Sequence, residues 1–346
     1  RTVACPATLR MEFCMSAASR RSYSGPAFLS YGFRPFFLLG ALYSGFSVLL
    51  WMPLFYGELE LSSLFVPVDW HIHELYFGFL PAVITGFLFT AVPNWTGRLP
   101  LQGGPLAILV LLWIIGRVAV GFSATLSPVV TAVLDLSFLS AMLLVALREI
   151  VAGKNWRNLP LLAALAVLIV ANFLIHAGQA NWITVADAGL DTYGTRLALS
   201  VFGVMITLIG GRVVPSFTRN WLVKAGVREL PAPFGRFDKL ALVAGVLALL
   251  GWTLAPSAPL VGYLCLLAAV LHLARLARWQ GQRTIREPLL LVLHIGYLWI
   301  PVSLAFFAGS ALAPALVPTS LGTHALTAGA IATMTLAVMT RAISGH

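Results

Sequence analysis

Along this chain, long apolar blocks alternate with short polar gaps. Ten of the blocks are about the ~20 residues a helix needs to cross the hydrocarbon core of a bilayer. They cover residues 35–56, 70–93, 104–122, 127–147, 159–182, 193–216, 237–255, 259–277, 288–309 and 319–340. Proline, glycine and small polar residues punctuate the gaps, as at Pro100-Leu101-Gln102-Gly103-Gly104-Pro105, where a helix cannot easily continue. The pattern predicts an all-α fold, a polytopic integral membrane helix bundle with ten spans.

Composition agrees. Of 346 residues, 59% are hydrophobic and 10% charged, against roughly 25% charged in a soluble chain. A mean hydropathy of +0.91 leaves too little polar surface to wrap a water-soluble particle of this size. The net charge of +10 invites a nucleic-acid partner, but the basic residues sit between apolar blocks without an aromatic-interleaved patch or reading motif, which excludes that class. The lipid bilayer is the partner that composition implies. Cys5, Cys14 and Cys265 form no paired framework and no metal-binding spacing.

The loops alternate in charge. Arg20, Arg21 and Arg34, then Arg98, then Arg148, Lys154 and Arg157 fall on one side. Arg219, Lys224, Arg228 and Arg236, then Arg278, Arg283 and Arg286, and finally Arg341 follow on that side. The intervening loops carry Glu58, Glu60, Asp69, Asp187 and Asp191, with no lysine or arginine. Such a bias predicts a bacterial inner-membrane protein with the basic loops and the amino terminus in the cytoplasm. Residues 1–27 read as a tail, of which 1–14 precede the start-like Met15, and no cleavable signal peptide is evident. Residues 28–346 read as a single transmembrane domain.

A faint internal similarity links spans two and six, which close with Val92-Pro93-Asn94-Trp95-Thr96 and Val214-Pro215-Ser216-Phe217-Thr218. Span ten ends comparably in Met339-Thr340-Arg341. Chance similarity among apolar segments explains this, but spans four apart also suit a four-helix unit repeated three times, and on that reading the expected full-length protein has twelve spans and this chain is carboxyl-terminally truncated.

Ionisable groups inside hydrocarbon are costly and mark candidate sites. His71, His73, His176 and His324 lie within about two turns of the outer face, counted at ~1.5 Å per residue. His272, His294 and His346 lie toward the cytoplasmic face. Four imidazoles from three spans at one depth can build a metal or haem site. Within Trp70-His71-Ile72-His73-Glu74, His71 and Glu74 share a helical face, whereas His71 and His73 diverge by about 200°. Glu74 is therefore expected to orient His71 or neutralise a cation, and the two histidines either to serve different centres or to divide ligation and hydrogen bonding between them. An interfacial cluster wetted by the periplasm is the plain alternative.

His176 lies one turn after Asn172, where a packing role competes with ligation. His324 sits among small residues that admit either a flat macrocycle or a close helix. His272 and His294, at similar depth, can pair as axial ligands or merely pack. Arg212, in Gly210-Gly211-Arg212-Val213-Val214-Pro215, reads either as an anion-binding residue on a broken helix or as a snorkelling side chain. Arg117 and Asp135 suit a buried structural pair. Met205, Met334 and Met339 offer thioethers, usually for packing.

Several strings together resemble the NnrS family of membrane proteins. They are Pro26-Ala27-Phe28-Leu29-Ser30-Tyr31-Gly32-Phe33-Arg34-Pro35-Phe36-Phe37, Trp70-His71-Ile72-His73-Glu74, Ala91-Val92-Pro93-Asn94-Trp95-Thr96-Gly97 and Gly210-Gly211-Arg212-Val213-Val214-Pro215. Leu293-His294-Ile295-Gly296-Tyr297 and the stretch from His324 to His346 complete the set. The resemblance implies a twelve-span bundle carrying haem and copper, and a role in the bacterial response to nitric oxide. On that reading His71, His73, His176, His324 and His294 are the haem or copper candidates, with Glu74 and Arg212 as charge partners and His71, His73 and His324 foremost as metal ligands. Two other classes compete. A nitric-oxide-reductase-like or haem–copper-oxidase-like oxidoreductase needs a carboxylate proton path, which is not conspicuous. A secondary transporter would use the His/Glu cluster with spans broken at Pro93 and Pro215.

Overall fold

The computed structural model describes residues 23–183 and 189–344. Arg20, Arg21, Asp187, His346, Cys5, Cys14 and Met15 lie outside the described residues. Ten helices are long and apolar enough to cross a membrane: α1 Phe33–Phe55, α2 Pro67–Pro93, α3 Gly104–Gly121, α4 Pro128–Ala152, α5 Trp156–Gln179, α6 Leu190–Lys224, α7 Arg236–Leu254, α8 Pro259–Ala277, α9 Pro288–Leu312 and α10 Thr319–Ile343. Among the described residues there is no strand.

The helix ends follow local chemistry. Pro67, Pro128, Pro259 and Pro288 open helices at the first position, where the missing N–H costs nothing. The Ser127 hydroxyl accepts from the Val130 N–H at 3.2 Å and caps α4. Gly97, at φ +70°, closes the helix that continues α2 in the left-handed conformation that glycine tolerates best.

By their contacts the residues fall into two compact units, Arg1–Leu162 and Ala163–His346, with the division in the first turns of α5. In the first unit α2 packs on α1 and α4, and α3 packs on α4. Phe36 stacks on Phe138 at 5.6 Å, and Gly86 lets the Phe37 ring lie against α2. In the second unit α9 is the hub, packing on α6, α8 and α10, while α7 packs on α6 and α8. Val214, Trp279, Leu290, Leu293, Tyr297, Met334 and Ala337 form a core around it. Large apolar side chains such as Leu42 and Leu49 on α1 remain exposed, as a lipid-facing surface requires.

Several boundaries differ from the hydropathy reading. Helix α6 runs unbroken through Gly210, Gly211 and Pro215 to Lys224, and the helix of α2 continues through Pro93 to Thr96. The broken-helix reading of both segments is corrected: burial of Val214, Thr218 and Leu222 holds α6 together beyond its proline. Helix α2 begins at Pro67, so Asp69 occupies its first turn, where a negative charge complements the helix dipole. Hydropathy also gave no sign of two π-helical stretches, Glu74–Phe79 within α2 and Ala325–Ala332 within α10.

The charge bias of the sequence predicts a periplasmic loop after α1 and a cytoplasmic loop after α6. Ser62 and Ala225 are exposed in these two places. With the native cysteines replaced, Ser62→Cys is expected to react with an impermeant thiol reagent in intact spheroplasts, and Ala225→Cys only after permeabilisation. The opposite pattern would invert the topology.

Candidate metal centre

Helix α2 carries the chemistry of the first unit. His73 ends its opening α-helical segment and Glu74 begins the π stretch. Both are buried, at 1% and 0% exposure. His73 Nδ1 lies 3.1 Å from Glu74 Oε1, and His73 Nε2 lies 3.2 Å from Asp135 Oδ2 on α4. Each imidazole nitrogen therefore faces a carboxylate oxygen.

A guanidinium joins the two acids. Arg117 Nη1, from α3, donates to Glu74 Oε1 at 2.9 Å and Oε2 at 2.8 Å. Arg117 Nη2 donates to Asp135 Oδ1. The Tyr43 hydroxyl, from α1, donates to Glu74 Oε2. Four helices thus converge on one buried polar cluster: α1, α2, α3 and α4.

Two glycines make the approach possible. A methyl group at Gly78 would lie 2.8 Å from the Tyr43 ring and 3.1 Å from Arg117 Cδ. One at Gly116 would lie 3.1 Å from Asp135 Oδ1. The Gly78 carbonyl, inside the π stretch, accepts from the Trp113 indole N–H at 2.8 Å, which ties the irregular backbone to α3. Phe65 and Phe77 flank the His73 ring at centroid distances of 4.9 and 5.2 Å and wall it off.

Glu74 and Asp135 bring two negative charges and Arg117 one positive; a second positive charge at His73, either the imidazolium or a metal ion that replaces a ring proton, brings the cluster to neutrality.

The other sequence candidates have separate surroundings. His71 turns away from His73, as the helical angle requires. Its ring stacks on Trp51 at 4.3 Å, and its buried Nδ1 has no hydrogen-bond partner. Glu74 orients His73 rather than His71, a correction to the three-residue face argument that follows from the π stretch beginning at Glu74. Arg117 and Asp135, expected as a structural pair, belong to the cluster. Tyr43 was not singled out, since nothing in span one marks a tyrosine as polar-bonded.

In the second unit, His176 is buried on α5. Arg212 is exposed on α6. His272 is fully buried, with Nδ1 2.8 Å from the Tyr297 hydroxyl and Nε2 against Gly245, where a methyl group would come within 2.7 Å. His294 Nε2 lies 2.9 Å from Thr218 Oγ1. That hydroxyl already donates to the Val214 carbonyl at 2.8 Å, so the imidazole is the donor and Nδ1 keeps the lone pair. A methyl group at Gly281 would lie 2.6 Å from that Nδ1. His272 and His294 are thus held by different partners, each with one face closed by a glycine. His324 is exposed, and its Nδ1 lies 2.8 Å from the Ser320 carbonyl. Met205, Met334 and Met339 are buried packing residues.

A family profile described as NnrS protein matches residues 27–346. The chain belongs to the NnrS family. No match was found among curated proteins or among solved structures. The NnrS match runs through both units, so every residue of the cluster lies inside it.

The ion-pair geometry of this NnrS protein sets a stability order. Arg117→Ala leaves two buried carboxylates without their cation and is expected to cost about 3–5 kcal/mol. Tyr43→Phe removes one hydrogen bond to a charged group and is expected to cost about 1.5–3 kcal/mol. Unfolding midpoints in mixed micelles check both, and an Arg117→Ala protein as stable as the parent would remove the cluster as a structural element.

Proposed function

We propose that this NnrS protein is a haem- and copper-binding protein of the bacterial inner membrane, acting in the response to nitric oxide, and that the buried cluster of the first unit holds its metal ion. The carrying observation is the 3.2 Å separation of His73 Nε2 and Asp135 Oδ2 in a fully buried cluster where two carboxylates meet one guanidinium and one imidazole. Two ligands of one ion, each at ~2.0–2.1 Å and at 90–109° to one another, lie ~2.9–3.4 Å apart. The pair therefore fits two corners of a coordination sphere. Imidazole with carboxylate is a donor set suited to copper, zinc or iron ions.

Each remaining residue has a role in that arrangement. Glu74, beside Nδ1, fixes the ring and the tautomer that presents Nε2, a carboxylate–histidine relation found around many metal ligands. Arg117 holds both carboxylates in place and prevents their mutual repulsion. Tyr43 fixes the second oxygen of Glu74. Phe65 and Phe77 pack against the ring and keep water from it. A bound ion would supply an electrophilic, redox-capable centre.

A haem does not fit at His73, because two aromatic rings and the carboxylates occupy both sides of the imidazole. The haem implied by the family belongs elsewhere in the chain. The transporter reading loses its motivation, since both proline-containing spans it relied on are continuous helices.

Metal analysis of the purified protein is the direct test. His73→Ala and Asp135→Asn are each expected to lower the content of non-haem transition metal by at least about tenfold. Deletion of the gene is expected to slow growth under a nitric-oxide donor, without effect on unstressed growth, and His73→Ala to leave the defect uncorrected. Wild-type metal content in both variants would rule out this cluster as the centre.

A further inference from the structure

Buried polar atoms that bond to nothing are rare in folded proteins, and those of the first unit are not scattered. Among its described residues they are Trp51 Nε1, Trp70 Nε1, His71 Nδ1, Arg117 Nε and Thr131 Oγ1. They come from four helices, yet they share one depth. Trp51 and Arg117 stand four residues before the ends of α1 and α3, at Phe55 and Gly121. Trp70, His71 and Thr131 stand three or four residues after the starts of α2 and α4, at Pro67 and Pro128. These four helix ends lie on one side of the unit, the side predicted to face the periplasm. The loops there are bonded together: the Ala124 N–H donates to the Ser62 carbonyl at 2.9 Å, and Ser63 Oγ lies 3.1 Å from Ser123 Oγ. The unbonded atoms therefore form a layer about one helical turn inside that rim.

That layer lies one turn outward of the His73–Asp135 pair. Trp70 precedes His73 by three residues and is about 60° from it around α2, and Thr131 precedes Asp135 by four and is about 40° from it around α4. Arg117 holds the pair's carboxylates through its other two nitrogens. Trp70, Arg117 and Thr131 are 3%, 8% and 1% exposed, so neither bulk water nor a lipid headgroup reaches them. Thr131 also lacks the usual local remedy. Thr85, Thr90 and Thr218 each donate to the carbonyl four residues back, and Thr131 does not. Two indoles and a guanidinium can only donate, and the Thr131 hydroxyl has its hydrogen to give. Water is a poor guest for such a layer, because its own two hydrogens would find an acceptor only at His71. A guest that only accepts satisfies it.

We infer that a small monovalent anion, an oxyanion or pseudohalide of the size of nitrite or azide, docks one turn outward of the His73–Asp135 pair, with Trp70 Nε1, Thr131 Oγ1 and Arg117 Nε as its donors. The inference rests on the reading of that pair as an ion site, and it names what the ion receives from the outer side. Charge supports the class. With a divalent ion in place of the ring proton, two carboxylates and one guanidinium leave one positive charge, which a monovalent anion cancels. Hydrogen bonding supports it independently. Each unbonded donor destabilises the anion-free protein, and the anion recovers that loss on binding.

The test uses the full-length protein in detergent, supplied with Cu(II) and titrated with azide and, separately, with nitrite. Azide affinity is read from its infrared stretch, and unfolding midpoints are measured with and without anion. Trp70→Phe and Thr131→Val keep the shape of the side chain and remove one donor each, so each is expected to weaken azide binding at least about tenfold. Neither removes a bond that the anion-free protein makes. The anion-free midpoint of Thr131→Val is therefore expected at or above the parent's, while the rise on adding azide shrinks. A merely structural role for Thr131 would lower the anion-free midpoint instead. Metal content should be unchanged in both variants and lost in His73→Ala, so failure of the anion site and failure of the ion site are separable. Protein that holds its metal and binds neither anion would overturn this inference alone, and protein that takes up no metal and binds neither would overturn both readings. Parental azide affinity in Trp70→Phe and in Thr131→Val would likewise overturn the assignment of the donors.

Discussion

A permanent positive charge inside an apolar bundle organises the first unit. Arg117 cannot shed its proton at any relevant pH, so it must be paired, and burial makes imperfect pairing expensive. Its planar fork answers the problem by gripping both oxygens of Glu74 with one nitrogen and reaching Asp135 with the other. Those bonds fix α2, α3 and α4 relative to one another. The Tyr43 hydroxyl adds α1. Two carboxylates meet one guanidinium, and the remaining negative charge lies against His73, whose two ring nitrogens each face a carboxylate oxygen. The positive charge there, a ring proton or an ion that replaces it, thus follows from how the arginine is buried.

The second unit shows the same problem solved with a single carboxylate. Arg275 is almost fully buried, with Nε donating to Asp238 at 3.0 Å and Nη1 donating to the Thr207 carbonyl at 3.0 Å and to the Tyr297 hydroxyl at 2.9 Å. Its guanidinium also lies 5.3 Å from the centre of the Trp279 ring. Its carboxylate partner Asp238 also faces the half-buried Arg278 at 3.7 Å, and carbonyl, phenol and indole satisfy the rest of the guanidinium. Such a network couples α6, α7, α8 and α9 without asking for another ion. The contrast assigns different work to the two clusters: Arg275 joins helices around one carboxylate, whereas Arg117 joins helices around two carboxylates that also enclose an imidazole.

Hydropathy alone made the ten spans legible, because length and apolar content are set by the bilayer and survive any packing detail. The divergence of His71 and His73 was equally legible, as it needs only the helical angle. Helix continuity through Pro93 and Pro215 was not, since a proline removes one backbone bond and neighbouring packing decides whether that bond matters. The site was legible only in pieces. His73 and Glu74 are conspicuous in an apolar span, and Arg117 and Asp135 are conspicuous too. Their union depends on how four helices pack, which no local pattern carries. Tyr43 was invisible for the same reason. A stronger clue existed in the charge count, because spans two, three and four together hold Glu74, Arg117 and Asp135, and three such groups in hydrocarbon can be stable only together.

The π stretches explain why the arrangement is placed in the backbone as well as in side chains. An α-helix separates successive side chains by about 100° and spaces its carbonyls evenly, so His73 and Glu74 would project to different neighbours. Widening the turn from Glu74 onward lets two adjacent side chains bond to each other while both reach outward to α3 and α4. It also loosens the carbonyl ladder, and the Trp113 indole takes up the Gly78 carbonyl in compensation. Glycine at that position is then required twice over, for the close passage of Tyr43 and for access of the indole to the main chain. In α10 the equivalent widening has no acidic neighbour, because Ala325 stands where α2 has Glu74. The histidine there is exposed and bonds to its own helix through the Ser320 carbonyl. One backbone device therefore yields an enclosed imidazole or an open one, according to whether the next residue carries a charge.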